Sequence, residues 1–152
     1  MNLSDMYQRP GFLLRRAHQI SAAVFENACT EVGLTQAQYG VLTVLHSAPD
    51  IDQSRLARAL AFDKVTVLRV LRGLEERGLV TRVVAPDNRR QMAVRLTAQG
   101  QRLLKKTEQP VRLAYQQLMA PLSQKESQQL IDLLQRLTNE LQDEARAPFV
   151  PL

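Results

Sequence analysis

Cysteine and histidine are scarce in this chain of 152 residues, which has one cysteine, Cys29, and two histidines, His18 and His46. A single thiol excludes an intrachain disulfide, and two distant histidines lack the spacing of a metal site. A Ser/His/Asp grouping, paired catalytic carboxylates and a glycine-rich phosphate loop are also missing. The sequence therefore gives no support to an enzyme, a metal or another cofactor.

Long apolar runs are missing as well. No stretch approaches the roughly 20 residues that a membrane helix needs, and Met1 to Asp5 lack the basic start and apolar run of a signal peptide. We therefore expect a cytoplasmic chain without a membrane partner. Its apolar residues, 45% of the total, suffice for one domain with its own core or for one subunit of an intertwined oligomer.

The positive charge is concentrated in one part of the chain. The formal net charge is +5, and residues 51–95 contain ten Lys or Arg residues against five acids. This stretch therefore carries the whole positive excess, and the rest of the chain is formally neutral. A basic stretch of this kind favours a polyanionic partner.

The same stretch has the element order of a winged DNA-binding domain. The predicted elements are a helix over 51–61, a turn at 62–63, a helix over 64–77, a strand over 79–85, a turn over 86–91 and a return strand over 92–96. Asp52 and Asp63 are expected to cap the two helices, and Gly78 to end the second. Outside this stretch we predict helices over 11–32, 35–47 and 98–119 and a last helix capped by Ser123.

The second helix of the basic stretch presents a face suited to the major groove of DNA. Steps of about 100° per residue place Val65, Arg69 and Arg72 outward, with Thr66 alongside. Arginine can bind guanine bidentately, threonine can contact a base edge or a phosphate, and valine can touch a thymine methyl group. Lys64 with the helix N-terminus, and Arg55 on the preceding helix, are phosphate candidates.

The turn between the two strands carries the remaining candidates for DNA contact, Asp87, Arg89 and Arg90. An arginine at a turn tip suits the narrow minor groove, where the negative potential is strongest. Asp87 is expected to hold Arg89 in place by a charge-assisted hydrogen bond.

Two segments resemble the MarR family of regulators. Asp87-Asn88-Arg89 followed by Val94, Leu96, Thr97 and Gly100 is similar to its D-x-R…V-x-L-T-x-x-G wing signature, and residues 74–80 are similar to its L-E-x-R-G-L-V motif. The chain departs from the family at Leu68, where Ser or Thr is common, and at Arg72-Gly73, where Asp-Arg is common. The family's base preferences are therefore not carried over.

The resemblance implies a mainly α-helical winged helix–turn–helix with a small β-hairpin, in an intertwined homodimer that reads a pseudo-palindrome in double-stranded DNA. It also implies a transcriptional regulator, usually a repressor, that a small molecule releases. Residues 1–34 and 98–146 are then the helical dimerisation region, 35–97 the DNA-binding lobe and 147–152 a loose tail.

Residues 12–19 and 49–53 resemble a subgroup that responds to aromatic carboxylates or their CoA thioesters, in which an arginine of the first helix pairs with the ligand acid. Arg15 matches that position, and His18 lies one turn further on the same face, where both can grip a carboxylate. Tyr39 on the second helix is the third ligand candidate. An intersubunit salt bridge for Arg15 and an interface role for His18 remain open.

Two other functions remain open. One is a redox-switched regulator that senses peroxide through Cys29, although a reactive thiol needs a nearby cation or helix N-terminus, and Cys29 has Glu26 and Glu31 close in sequence. The other is an architectural protein that binds DNA without sequence preference.

Overall fold

The computed structural model describes residues 2–85 and 87–152. In chain order the elements are α1 (Leu3–Tyr7), α2 (Pro10–Ala28), α3 (Gln36–Ser47), β1 (Ile51–Asp52), α4 (Gln53–Ala59), α5 (Lys64–Glu76), β2 (Val80–Val84), β3 (Met92–Leu96), α6 (Ala98–Met119), α7 (Gln124–Glu140) and a 3-10 turn (Gln142–Glu144). The expected fold class, a mainly helical winged helix–turn–helix, is confirmed, and its sheet has three strands where a two-stranded hairpin was expected.

The second helix of the helix–turn–helix, α5, forms as its sequence predicts. The side chain of Asp63 accepts a hydrogen bond from the backbone N–H of Thr66 at 2.7 Å, which caps the helix. Gly78 follows the helix with a φ of 70°, in the left-handed region that glycine adopts without strain. The buried stripe consists of the four predicted residues, Val67, Val70, Leu71 and Leu74. The outer face of α5 is left free.

The strand that sequence reasoning missed is β1, at the start of the helix predicted over 51–61. Asp52 is the N-cap of α4 and has an extended backbone, with ψ at 154°. An N-cap residue is not itself helical, so Ile51 stays extended with it, and the two pair with Val94 and Ala93 of β3. The predicted start of that helix was therefore wrong. The resulting strand order is β1-β3-β2. The pairing of β1 with β3 therefore joins the helix–turn–helix to the β2–β3 hairpin, which we call the wing.

The helix predicted over 11–32 is α2, which ends earlier and follows the short helix α1. Pro10 occupies its first turn, where a missing N–H costs nothing. Beyond α2 the chain turns through Gly33, with φ at 64°. The guanidinium of Arg77 donates to the carbonyl oxygens of Val32 and Gly33 at 2.9 and 2.7 Å. The carbonyls of Val32 and Gly33 therefore have hydrogen-bond partners outside α2. Since α2 ends at Ala28, the predicted helix end at residue 32 was wrong.

Two clusters of buried side chains hold the elements together. The lobe cluster draws on α3, α4, α5, β2 and β3 and includes Leu42, Leu45, Leu56, Leu71, Leu74, Val80 and Val94. The second cluster joins α2 to α6 and consists of Phe25, Cys29, Val111 and Ala114. The long helix α6 therefore connects the lobe to the N-terminal helices.

The start of α6 packs directly on the lobe. The hydroxyl of Thr97 donates to the carbonyl of Gly78 at 2.7 Å and accepts from the N–H of Gly100 at 3.0 Å. Gly100 lies so close to the backbone of Leu79 that a Cβ atom would overlap the carbonyl oxygen. Only glycine fits this approach, which fixes the direction in which α6 leaves the lobe.

The last helix, α7, exposes its apolar face in the single chain. It contains no buried residue. Its exposed leucines are Leu130, Leu133, Leu134 and Leu137, and Leu141, directly after the helix, is exposed too. Leu3, Leu13 and Leu14 at the N-terminal end of the chain are exposed too. Apolar patches of this extent are typical of protein interfaces.

The segment predicted as a loose tail, 147–152, contacts the lobe. The backbone N–H of Val150 donates to the carbonyl oxygen of Arg58 at 3.0 Å. Val150, Pro151 and Leu152 line a small cavity of about 230 Å³ together with Arg55 and Arg58 of α4. The segment is therefore anchored to α4 at this point, contrary to the expectation of a loose tail.

Candidate functional site

The outer face of α5 is basic and accessible. Val65 is 76% exposed, Arg69 and Arg72 are exposed, and Thr66 is half-buried beside them. The buried stripe on the opposite side of α5 holds this face outward. The four side chains therefore have the arrangement that the sequence predicted for a helix that enters a major groove.

The N-terminus of α5 is less open to an anion than the sequence suggested. The carboxylate of Asp63 already occupies it, and hydrogen bonds from the backbone N–H and side chain of Thr66 lower the pKa of Asp63, with a smaller contribution from Arg69. Since the carboxylate satisfies the first free N–H groups of the helix, Lys64, which is exposed, is left with its side chain as the phosphate candidate at this end.

The turn between β2 and β3 exposes its cations. Asp87, Arg89 and Arg90 are exposed, whereas Pro86, the first residue of the predicted turn, lies outside the described residues. Asn88 organises the turn, because its side chain accepts the N–H of Arg90 at 3.0 Å. Within residues 2–85 and 87–152 no salt bridge joins Asp87 to Arg89, so that expected bond is absent.

Three of the ten cations in residues 51–95 bind partners within the chain. Arg77 binds two backbone carbonyls, Arg82 pairs with Glu75 of α5 at 2.8 Å, and Arg95 pairs with Asp50 at 2.6 Å. The remaining cations are Arg55, Arg58, Lys64, Arg69, Arg72, Arg89 and Arg90, and all of these are exposed. Among the described residues, the exposed cations of this stretch that form no salt bridge thus lie on α4, α5 and the turn between β2 and β3.

The Arg82–Glu75 pair was missed by sequence reasoning and positions the site. Glu75 lies on α5 and Arg82 on β2, and a second contact at 3.4 Å joins Arg82 to Gln53 of α4. The pair is about 30% exposed on each side, so solvent screens it only in part. Together these contacts hold the wing against both helices of the helix–turn–helix.

The three candidate ligand residues lie in different places within the single chain. His18 lines a cavity of about 640 Å³ between α2, α3 and α5. Tyr39 lines another, of about 560 Å³, between α3 and α6, and its ring packs on Phe25 with centroids 5.5 Å apart. Arg15 is exposed, and its guanidinium lies 5.3 Å from the ring centroid of Phe12, a cation–π distance. One chain does not bring the three together.

Cys29 is 1% exposed and packs between α2 and α6. Burial raises the pKa of the Cys29 thiol, which favours the unreactive protonated form at neutral pH. The described residues include no group of three or more potential metal ligands. No helix among them has both the length and the apolar character to cross a membrane.

Comparison with known proteins identifies relatives of this arrangement. A family model described as the MarR family matches residues 32–91. The chain is 37% identical over 128 residues to a putative transcriptional regulatory protein for the hcr operon of Thauera aromatica, covering 84% of this chain and 77% of that protein. It is 32% identical to the HTH-type regulator YdgJ of Bacillus subtilis, covering 86% and 77%.

Solved structures agree with the fold along nearly the whole chain. The PcaV regulator of Streptomyces coelicolor in complex with its natural ligand superposes with a TM-score of 0.83 at 29% identity, covering 91% of this chain and 98% of that one. The repressor CouR bound to a 23-mer DNA duplex gives 0.82 at 26%, with the same coverage. BpsR of Bordetella bronchiseptica, whose DNA binding 6-hydroxynicotinic acid regulates, gives 0.81 at 29%, covering 87% and 94%.

Proposed function

Because this chain belongs to the MarR family of DNA-binding transcriptional regulators, we propose that it is a homodimeric repressor that a small aromatic acid, or its CoA thioester, releases from a pseudo-palindromic operator. The observation that carries the proposal is the juxtaposition of two exposed basic surfaces, the outer face of α5 and the turn between β2 and β3. The major groove admits an α-helix such as α5, and a narrow minor groove attracts arginines such as those of the turn.

Each surface has its own task in the proposed complex. On α5, Arg69 and Arg72 read base edges, with Thr66 and Val65 beside them, while Lys64 and Arg55 hold phosphates. The second surface is the wing turn, where Asp87, Arg89 and Arg90 lie at the minor groove and its phosphates.

The exposed leucines of α7 and of the N-terminal helices support the dimer. Residues 1–34 and 98–146 form the dimerisation region in this proposal, and residues 35–97 form the DNA-binding lobe. Two lobes related by a twofold axis read successive half-sites when their recognition helices lie about 34–36 Å apart. Since Gly100 fixes α6 to the lobe, a change in the angle between the two α6 helices changes this separation.

The effector acts on that separation. Arg15, His18 and Tyr39 are the proposed ligand residues. The PcaV and BpsR comparisons support a regulator that responds to a small molecule, and the CouR comparison supports a repressor that binds DNA. A ligand that binds better to dimers with the wrong helix spacing shifts the population away from the DNA-binding form. A coupling free energy of about 1–3 kcal/mol weakens DNA binding roughly 5–150-fold.

The DNA part is tested by a mobility-shift assay with the promoter region beside the gene for this protein and with random DNA of equal length, at several salt concentrations. We expect the promoter to bind much more tightly. Arg89→Ala should weaken binding and lower the slope of log K against log salt by about one phosphate contact.

Lys125→Ala is the matched control. It also removes one exposed cation, but beyond the far end of α6, whose 22 residues span about 33 Å. Its binding curve should match the parent. Equal affinity of the parent for promoter and random DNA would instead identify an architectural DNA-binding protein, and equal losses in the two variants would remove Arg89 from the interface.

A further inference from the structure

The cavity that His18 lines also reaches the recognition helix. Its wall includes His18 of α2, Gln36 of α3, Phe62 in the turn before α5, and Arg69 and Val70 of α5 itself. We call this cavity the α2–α5 groove. It brings a residue expected to bind the effector and a residue expected to bind DNA into one space.

We propose that Arg69 is shared between the two ligands: its guanidinium binds the carboxylate of an aromatic acid when the α2–α5 groove is occupied, and DNA when the groove is empty. The inference deepens the proposed function and rests on it. It adds a local competition for one side chain to the change in helix spacing.

Two side chains of the groove can bind a small anion, the guanidinium of Arg69 by its charge and the imidazole of His18 by a hydrogen bond. Among the described residues no salt bridge joins His18 or Arg69 to an acid, although the carboxylate of Asp63 at the N-cap of α5 lies near enough to Arg69 to interact with it electrostatically. Glu26 also lines the groove, but it lies eight residues after His18 on α2, which is about 12 Å along the helix. The wall therefore offers a carboxylate the guanidinium of Arg69 and the imidazole of His18.

The rest of the wall suits an aromatic ring. Ala22, Leu60 and Phe62 contribute apolar surface, and Gln36 is already held by a hydrogen bond from its side-chain amide to the hydroxyl of Ser21 at 3.0 Å. The volume of about 640 Å³ lies within the usual range for small-molecule sites. The planar guanidinium of Arg69 matches a carboxylate bidentately.

Competition for Arg69 makes the coupling reciprocal. A guanidinium engaged by the carboxylate does not at the same time bind a base edge or phosphate, so each ligand lowers the affinity for the other by the same factor. A factor within the range of about 5–150 is typical of such coupling. A variant whose side chain at position 69 cannot bind an anion should lose the share of this coupling that depends on Arg69.

The test uses the full-length protein, benzoate and 6-hydroxynicotinate as probes, and benzamide as the uncharged analogue of benzoate. Calorimetry gives the affinity of each probe for the parent, Arg69→Gln and Arg72→Gln, and the shift assay gives promoter affinity with and without probe. Glutamine preserves helix propensity. Arg72→Gln is the matched control, because Arg72 is exposed on the same helix but does not line the groove.

We expect Arg69→Gln to bind the two acids at least tenfold more weakly than the parent. We also expect the probe to reduce its promoter affinity by a smaller factor than it does in the parent. Arg72→Gln should bind promoter more weakly but keep the parent's probe affinity and factor. Unchanged probe affinity or an unchanged factor in Arg69→Gln overturns the inference, as does benzamide binding as tightly as benzoate.

The outcomes also separate this inference from the proposed function. If the parent binds promoter but neither acid, the proposed release by aromatic acids fails, and the role of Arg69 in it fails too. If the parent binds both ligands and Arg69→Gln behaves like Arg72→Gln, the proposed function stands and the sharing of Arg69 is wrong.

Discussion

Individual arginines of this lobe differ in task although they look alike in sequence. Arg77 donates from two guanidinium nitrogens to two successive carbonyls, Val32 and Gly33, and so joins the end of α5 to the loop after α2. Lysine lacks this planar fork. Arg89, in the turn between β2 and β3, has an exposed side chain. We therefore expect substitution of Arg77 to lower stability and, under the proposed function, substitution of Arg89 to weaken DNA binding.

Gly100 is the residue at which a single methyl group should matter most for stability. In Gly100→Ala the new Cβ overlaps the carbonyl oxygen of Leu79, which is held in place by the N–H of Thr97 at 3.1 Å. Because the backbone must shift, we expect a loss of about 1–3 kcal/mol in the free energy of unfolding. Urea denaturation followed by circular dichroism measures it.

Gly11→Ala is the control for Gly100→Ala, because both glycines lie in the first turn of a helix and nothing approaches within 4 Å of a Cβ at Gly11. Alanine there should be neutral or stabilising by up to about 1 kcal/mol. Similar unfolding curves for the two variants would show that α6 does not approach Leu79 as closely as described.

Among the elements, α5 depends on its N-cap. The carboxylate of Asp63 accepts the N–H of Thr66, and this hydrogen bond is the main reason why the pKa of Asp63 lies below its usual value. A similar effect occurs at Asp50, where the guanidinium of Arg95 lowers the pKa of the carboxyl group. Both carboxylates therefore contribute more to stability when ionised.

The sign of the pH dependence follows from these lowered pKa values. The stabilisation is fully present above the unfolded pKa of aspartate, about 3.9, and is lost as the pH falls through the lower pKa of the folded state. The melting temperature of the parent should therefore fall on acidification from pH 5 to pH 3. Asp63→Asn should have a melting temperature near the parent's at pH 7, because asparagine is an equally good N-cap, and should fall less steeply.

A parallel decline of parent and Asp63→Asn over that pH range would contradict the assignment of the pH dependence to the α5 cap. Asp63→Ala completes the series, since it removes both the charge and the cap and should melt at a lower temperature at every pH. Thermal scans by circular dichroism at each pH give all three curves.

The whole molecule is incomplete as a single chain. The helix α7 carries leucines on one face and polar residues on the other, and none of its residues is buried. An isolated amphipathic helix of this kind gains stability by burying its apolar stripe against a partner. The proposed dimer provides that partner and supplies the second lobe that a pseudo-palindrome requires.

The dimer proposal predicts the effect of charge on this stripe. Leu133 and Leu137 are 54% and 46% exposed in the single chain, and an unpaired carboxylate buried at either position is strongly unfavourable. The double variant Leu133→Asp, Leu137→Asp should have half the parent's mass by light scattering coupled to size-exclusion chromatography, and should lose specific promoter binding. Asn139→Asp, on the opposite face of α7, should keep the parent's mass.

A parent that is itself monomeric at micromolar concentration would refute the intertwined dimer. So would a double variant that keeps the parent's mass and remains folded. In either case the apolar stripe of α7 would need a different partner.

The sequence by itself determined most of the lobe, namely the caps at Asp52 and Asp63, the buried stripe of α5 and the strand over 92–96. These features depend on residues within about four positions of one another, so composition and periodicity reveal them. The exposed basic face of α5 was predictable for the same reason. The role of each residue on that face in binding DNA remains a prediction.

Only the tertiary structure decided which cations bind partners within the chain, that β1 adds a third strand, and that His18 and Arg69 line one groove. Each of these depends on contacts between distant positions, such as the Arg95–Asp50 bond across 45 residues. Contacts between residues far apart in sequence depend on how the helices and strands pack around the two buried clusters. No local sequence pattern specifies that packing.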